Sequence, residues 1–441
     1  MAGDWDEAEQ AGGGKASAIA TSSGSLGLMA AIALVMGNMI GSGVFLLPAS
    51  LAPFGWNGVI GWLTTISGAL VLAFVLSRLT HARPEAGSPA GFVTDAFGKT
   101  AGFFISWIYL VSLWTSVVTI AVAAVSYLSS MVPFLGRGEH VPALAAIALL
   151  WLVTLINLRS TRAAGNFQIV TLALKIIPLL VVIVLAVHIL ASGKAQLPSF
   201  DPSEVRSGAI NGAATLTLWA LLGFESASVA AARVRNPKVN VARATLWGTA
   251  LTGALYLMVC SAIALLLPSD LASHSAAPFA TFVARFWDGN AAMLIAVFAV
   301  ISCIGALNGW TLLEAEMVRD MASRRLLPRW LAETDARGTA RRALLVSAFV
   351  ASCFAALNAS RTMQALFEYL LLLSTSATLW LYLACALAAL RLGVARIPAL
   401  LGALYALWTL WGAGIGASGL SFVLMALGLP IWLWLKHNEI G

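Results

Sequence analysis

Long apolar runs parted by short polar loops set the pattern of this chain. Twelve such runs begin near Ser25, Trp56, Phe97, Val141, Phe167, Ala209, Ala242, Asn290, Ala343, Met363, Ile397 and Ser418. Each approaches the roughly 20 residues a helix needs to cross a hydrocarbon core, so the pattern predicts an all-α polytopic membrane protein with 12 transmembrane helices. Two runs are interrupted. The first, SLGLMAAIALVMGNMIGSGVFLLPAS, carries Gly37, Gly41, Ser42 and Gly43 in its middle, and the sixth, AATLTLWALLGFESASVAAA, carries Gly223, Glu225 and two serines at the same depth. Glycine costs about 1 kcal/mol relative to alanine in a helix interior. Irregular backbone survives at membrane depth only where it is buried in protein or lines a cavity. Both spans are therefore predicted to be broken helices.

Gly41 and Gly223 stand 182 residues apart, close to the offset between the starts of their spans. The long third and eighth spans, near 97–131 and 290–323, correspond under a similar shift. This spacing predicts a five-plus-five inverted repeat, with spans 1–5 over residues 25–192, spans 6–10 over 206–392, and spans 11 and 12 (397–436) added. Interrupted spans at matching places in two halves are the best sequence pointer to a transporter binding site. The competing reading, a pair of glycine-lined helix contacts, accounts for Gly41 but not for an acid at Glu225.

Composition agrees with lipid as the main solvent: 60% of the 441 residues are hydrophobic, 10% are charged, and the mean hydropathy is +0.89. A net charge of +7 would suit a nucleic-acid partner if it were clustered on one surface, but it is spread over alternate loops. With the N-terminus inside, 20 of the 26 Lys and Arg fall on the cytoplasmic side, including seven arginines from Arg319 to Arg342. Only Arg137, Lys194, Arg206, Arg285 and Arg361 fall on the other side. That is the positive-inside bias of a multi-pass bacterial inner-membrane protein with both termini cytoplasmic. Residues 1–24 hold four acids and no apolar core, and read as a disordered cytoplasmic tail rather than a signal peptide. The cysteines (Cys260, Cys303, Cys353, Cys385) lie inside spans as small packing residues, and the five histidines sit at loops or span ends without metal spacing. No metal, cofactor or catalytic cluster is therefore predicted. A membrane enzyme and a channel remain the alternatives from other classes, and paired internal repeats fit them less well than alternating access.

Three long segments carry a family resemblance: GNMIGSGVFLLPA at Gly37–Ala49, WALLGFESASVAA at Trp219–Ala231 followed by NPK at Asn236–Lys238, and GWTLLEAE at Gly309–Glu316. With the basic MASRRLLP at Met321–Pro328, they resemble the amino acid/polyamine/organocation superfamily, and within it the basic amino acid/polyamine antiporters, including bacterial arginine/agmatine antiporters. The resemblance implies amino-acid exchange by alternating access, with no enzyme activity. The expected partners are a small amino acid or amine, membrane lipid, and a second copy of the chain in a homodimer.

Physical chemistry and the resemblance converge on one set of residues. Backbone N–H groups of Ser42, Gly43 and Val44, with the Ser42 hydroxyl, form a helix N-terminus suited to a substrate carboxylate, and Met39 borders the same break. Carbonyls around Trp219, Ala220 and Leu222 suit an α-ammonium. Trp219, Tyr109 and Trp310 are aromatics able to attract a cation; the resemblance makes Trp310 the one that stacks on a cationic substrate end and the other two gates. Most of the 16 Trp are expected simply to pack or face lipid. Glu225, an acid within a span, marks a pathway or proton relay by default, and the resemblance implies a pH-linked gating role; the plainer alternative is bonding to the freed amides of its own helix. Lys175 departs from the arginine/agmatine pattern and resembles superfamily members in which a lysine replaces a sodium ion, so sodium coupling is not expected; the alternative is a snorkelling lysine. Ser112 also departs from the arginine-specific pattern and keeps a neutral or broad-specificity permease, proton-coupled or facilitative, open. Glu314 shares a helix face with Trp310 and is either an acid of the inward vestibule or a group paired with Arg319 or solvated.

Overall fold

The computed structural model describes residues 27–86, 88–138, 140–159, 161–225, 234–335 and 339–439, with the side chains of 161–173, 237–238 and 438–439 left aside. The tail over 1–24 lies outside these residues. Among the described residues the architecture is helical, without a strand. In chain order the helices are α1 (Leu28–Met39), α2 (Gly43–Leu51), α3 (Trp56–Ala82), α4 (Pro89–Phe97), α5 (Lys99–Met131), α6 (Val141–Arg159), α7 (Thr161–Ala191), α8 (Ser207–Ala220), α9 (Pro237–Leu266), α10 (Ser269–Ser273), α11 (Pro278–Phe286), α12 (Gly289–Ser323), α13 (Arg341–Leu357), α14 (Met363–Arg391), α15 (Arg396–Gly412), α16 (Gly414–Ala426) and α17 (Leu429–Glu439).

Eight stretches among the described residues are long and apolar enough to cross a bilayer, or nine when the bent pair α1–α2 counts as one span. The 12 spans expected from the apolar pattern are not all reached by this measure. Helices α8, α13 and α15, at the expected sixth, ninth and eleventh places, are 14, 17 and 17 residues long, short of the usual crossing length, and α8 leads toward residues 226–233, which are not described.

Helix α5 is the centre of the molecule. It packs most extensively against α14 and α12, and its stretch from Leu110 to Tyr127 is buried on every side. Small and β-branched residues (Ser116, Val117, Val118, Thr119, Ala121, Ala123, Ala124) allow several helices to approach it at once. Hydroxyls then join the packed surfaces. The Ser116 and Ser374 Oγ atoms stand 2.6 Å apart across α5 and α14, and Thr65 Oγ1 donates to the Ala214 carbonyl at 2.9 Å across α3 and α8.

The peripheral helix α15 shows how lipid reverses the usual amphipathic pattern. Its inward face is small (Ala399, Gly402, Ala403, Ala406), while Ile397, Leu400, Leu401, Leu404 and Leu407 are exposed. Large aliphatics here face hydrocarbon, and small residues let the helix backbones close in. Gly68 of α3 is one such contact, because a Cβ there would overlap the Tyr405 ring of α15. Gly68→Ala is expected to cost about 1 to 3 kcal/mol through overpacking, read as a lower thermal unfolding midpoint in detergent.

Candidate substrate site

The first break follows from its glycines and leaves helix ends that need partners. α1 and the segment Gly43–Phe54 are bent by 52°, with Ile40 extended (φ −71°, ψ 92°) between the two halves. The last carbonyls of α1 have no intrahelical donors, and distant side chains serve them. Tyr256 Oη of α9 donates to the Met39 carbonyl at 2.8 Å, and Lys175 Nζ of α7 donates to the Gly37 carbonyl at 3.3 Å. An ammonium at a helix C-terminus also complements the negative end of the helix dipole. Lys175 is 1% exposed, so it does not snorkel to a membrane surface.

The other side of this break is the N-terminus of α2. Ser42 is buried and its hydroxyl has no partner among the described residues. Further along α2, the Phe45 carbonyl accepts from Tyr127 Oη of α5 at 2.8 Å, and the same phenol accepts from the Phe279 N–H of α11 at 3.2 Å. One hydroxyl thus ties α2, α5 and α11 together.

The second break is a tightened helix end followed by a turn. Leu221 and Leu222 donate to the carbonyls of Leu218 and Trp219 at 3.0 and 3.2 Å, an i→i−3 pattern that closes α8. Gly223 then adopts φ +105°, a conformation that only glycine enters without strain. Glu225 folds back onto this turn, and its Oε2 accepts from the Gly223 N–H at 3.2 Å and from Tyr382 Oη of α14 at 3.0 Å. Its Oε1 accepts from Tyr109 Oη of α5 at 3.0 Å. Tyr382 is held by stacking on Phe224, with ring centroids 4.9 Å apart.

The two breaks lie side by side. A Cβ on Gly223 would stand 3.5 Å from the Asn38 carbonyl oxygen, and one on Gly43 would stand 2.8 Å from the Trp219 ring. Trp219 meets Phe367 of α14 edge-to-face at 5.9 Å. On the third side, a Cβ on Gly41 would stand 3.3 Å from the Ala306 Cβ of α12.

The structure therefore gathers Met39, Ser42, Gly43, Val44, Trp219, Leu222, Glu225 and Tyr109 around one junction, with Lys175 reaching its α1 side. Ser112 is turned onto its own helix: its hydroxyl donates to the Tyr109 carbonyl at 2.6 Å, and its carbonyl accepts from Ser374 Oγ at 3.1 Å. Trp310 is half-buried, four residues past Ala306 on α12. Glu314 is neither solvated nor paired with Arg319; it is fully enclosed, and Arg319 is bonded to Glu316 at 2.6 Å.

Sequence reasoning missed Tyr127, Tyr256 and Tyr382. A signal was present, because the chain has only six tyrosines against 19 phenylalanines and 16 tryptophans. A phenol inside a span usually takes a hydrogen-bond partner, and four of the six bond at the two breaks.

Long apolar helices, a bent first span and polar side chains serving exposed helix ends define a multi-pass α-helical membrane protein with a junction of interrupted helices. The family profile described as amino acid permease matches residues 26–434, and the chain belongs to that family. It is 33% identical over 333 residues to the cadaverine/lysine antiporter of Escherichia coli K12, covering 74% of this chain and 73% of that protein. It is 27% identical over 432 residues to the putrescine transporter PotE of Haemophilus influenzae Rd, covering 94% and 98% of the two chains, and 27% identical over 423 residues to the PotE of Escherichia coli K12.

Because two phenols hold one carboxyl group, their effects are expected to depend on it. Tyr382→Phe should slow transport in the wild-type background, whereas Tyr382→Phe added to Glu225→Gln should change the rate by no more than about threefold. Initial uptake rates of the four proteins in liposomes check the coupling.

Proposed function

We propose that the protein is a secondary active transporter of the bacterial inner membrane that exchanges a basic amino acid for a related amine or amino acid, by alternating access and without sodium. The observation that carries this reading is the junction of the two breaks, where the N-terminus of α2 lies against Trp219 and the end of α1 at Asn38 lies against the turn that Glu225 closes. Amides at Ser42–Val44 suit the α-carboxylate. The carbonyl end of α8 suits the α-ammonium. A decarboxylated amine uses only the second of these while keeping its distal cation, so one site accommodates both members of an exchange pair. The names of the similar proteins, one pairing lysine with cadaverine and the others naming putrescine, support a cationic substrate.

The rest of the proposed architecture follows the apolar pattern. Twelve spans place both termini in the cytoplasm, spans 1–5 (25–192) and 6–10 (206–392) form inverted repeats, and spans 11 and 12 (397–436) flank them. Trp219, Tyr109 and Trp310 act as gates and cation-facing aromatics, and Glu225 couples gating to pH. Lys175, bonded to the Gly37 carbonyl, supplies fixed positive charge at the place where a coupling cation would otherwise stabilise the break. That same positive charge favours a second reading, a neutral amino-acid permease.

Competition in proteoliposomes decides the substrate class. Lysine, arginine, ornithine, cadaverine, putrescine and agmatine should compete for uptake, leucine and alanine should not, and replacing sodium by choline should leave the rate unchanged. External substrate should also accelerate efflux, as an exchanger requires and a channel does not. Competition by neutral amino acids alone would establish the second reading instead. The gating role has its own measurement: Glu225→Gln should retain substrate binding and flatten the pH profile of transport, and an unchanged profile would remove Glu225 from that role.

A further inference from the structure

The exchange reading leaves Glu314 without a use. It lies on α12, fully enclosed, and neither of its carboxyl oxygens has a hydrogen-bond partner among the described residues. Thr311, three residues earlier on that side of the helix, is equally enclosed and its hydroxyl is also unpartnered. Trp310 stands four residues before Glu314 and shares its face. Protein interiors seldom leave such oxygens unbonded, and an acid within a span is costly in its own right.

Among the described side chains, the cations on neighbouring elements do not serve this group. Lys175 of α7 is bonded to the Gly37 carbonyl. Lys99 of α5, Arg159 of α6, Arg329, and Arg341 and Arg342 of α13 are exposed at helix ends or in the loop, the last two paired with Asp335 and Glu333. Glu314 lies eight residues beyond Ala306, the residue packed under Gly41, which is about 12 Å along α12 toward the arginine-rich loop. It is thus displaced from the junction in the direction of the basic, cytoplasmic side.

A carboxyl group, a hydroxyl oxygen and a half-buried indole on one helix face make up the chemistry that binds an organic ammonium. A bare Mg2+ or Ca2+ ion would need about six or more oxygen ligands. We propose that Glu314, with Thr311 and Trp310, forms a second cation site on α12 that takes the ammonium end of a cationic substrate as it passes between the junction and the cytoplasm. This rests on the exchange reading above. The site is enclosed in this conformation, so it engages substrate when the helices on that side part.

The test is KM for lysine and cadaverine, measured separately at each face of the protein in oriented proteoliposomes. Glu314→Gln should raise KM at the cytoplasmic face by about ten- to hundredfold while leaving the opposite face within about twofold, as loss of a charged hydrogen bond predicts. Glu314→Asp should recover part of the loss. Should Glu314→Gln fail to fold, as judged by its thermal midpoint, Thr311→Val should show a smaller rise confined to the same face. Unchanged KM values at both faces would overturn the proposal. So would unchanged KM values accompanied by loss of substrate-coupled proton movement, since the site would then take a proton. If the wild-type protein carries no cationic substrate, the exchange reading fails and this inference with it; if it does, only the inference is at stake.

Discussion

A backbone amide or carbonyl inside a bilayer has no water to bond, and breaking a helix there exposes several of each. Much of the described structure answers that constraint. Tyr256 and Lys175 meet the carbonyl end of α1 from α9 and α7, while Tyr127 bonds the Phe45 carbonyl in α2. The turn after α8 is closed by its own Glu225, which is itself held by phenols from α5 and α14. These side chains come from helices far away in sequence, so the breaks exist only within the assembled bundle. Donors and acceptors left over at such ends are the ones a zwitterionic substrate can use.

How much of this is legible in sequence depends on whether the signal is local. The spans are legible because burial in lipid demands continuous apolarity, and the breaks because glycine in such a run needs a reason. Glu225 and Lys175 are legible as charges where charge is expensive. The partners are less so: Tyr256 lies 217 residues from Met39, and Tyr382 lies 157 residues from Glu225, distances over which no periodicity connects them. Glu314 shows the reverse difficulty. Its neighbourhood on α12 contains both an arginine and a second acid, and only the fold shows that Arg319 goes to Glu316.

The scaffold around the junction has two kinds of surface. Helices such as α15 present small residues inward and large aliphatics outward, so their attachment rests on close backbone approach rather than on expulsion of water. The α5–α14 seam carries serine hydroxyls bonded across it, Ser374 to both Ser116 and the Ser112 carbonyl. Directional bonds reach the periphery as well: Asn211 Nδ2 and Thr215 Oγ1 of α8 donate to the Trp408 and Thr409 carbonyls of α15 at 2.8 and 3.2 Å. Close backbone approach sets where such a helix sits, and these bonds fix its register.

Tyr109 and Tyr127 are eighteen residues apart on α5, which is five full helical turns, or about 27 Å. They project from one face of a single continuous helix, yet one grips the carboxyl group of the second break while the other grips the half-helix beyond the first. A rigid rod with a handle at each end sets a length standard for the bundle. Any tilt of the two interrupted spans relative to each other must either carry that rod along or release one handle, so transitions between conformations are expected to be few and discrete rather than graded.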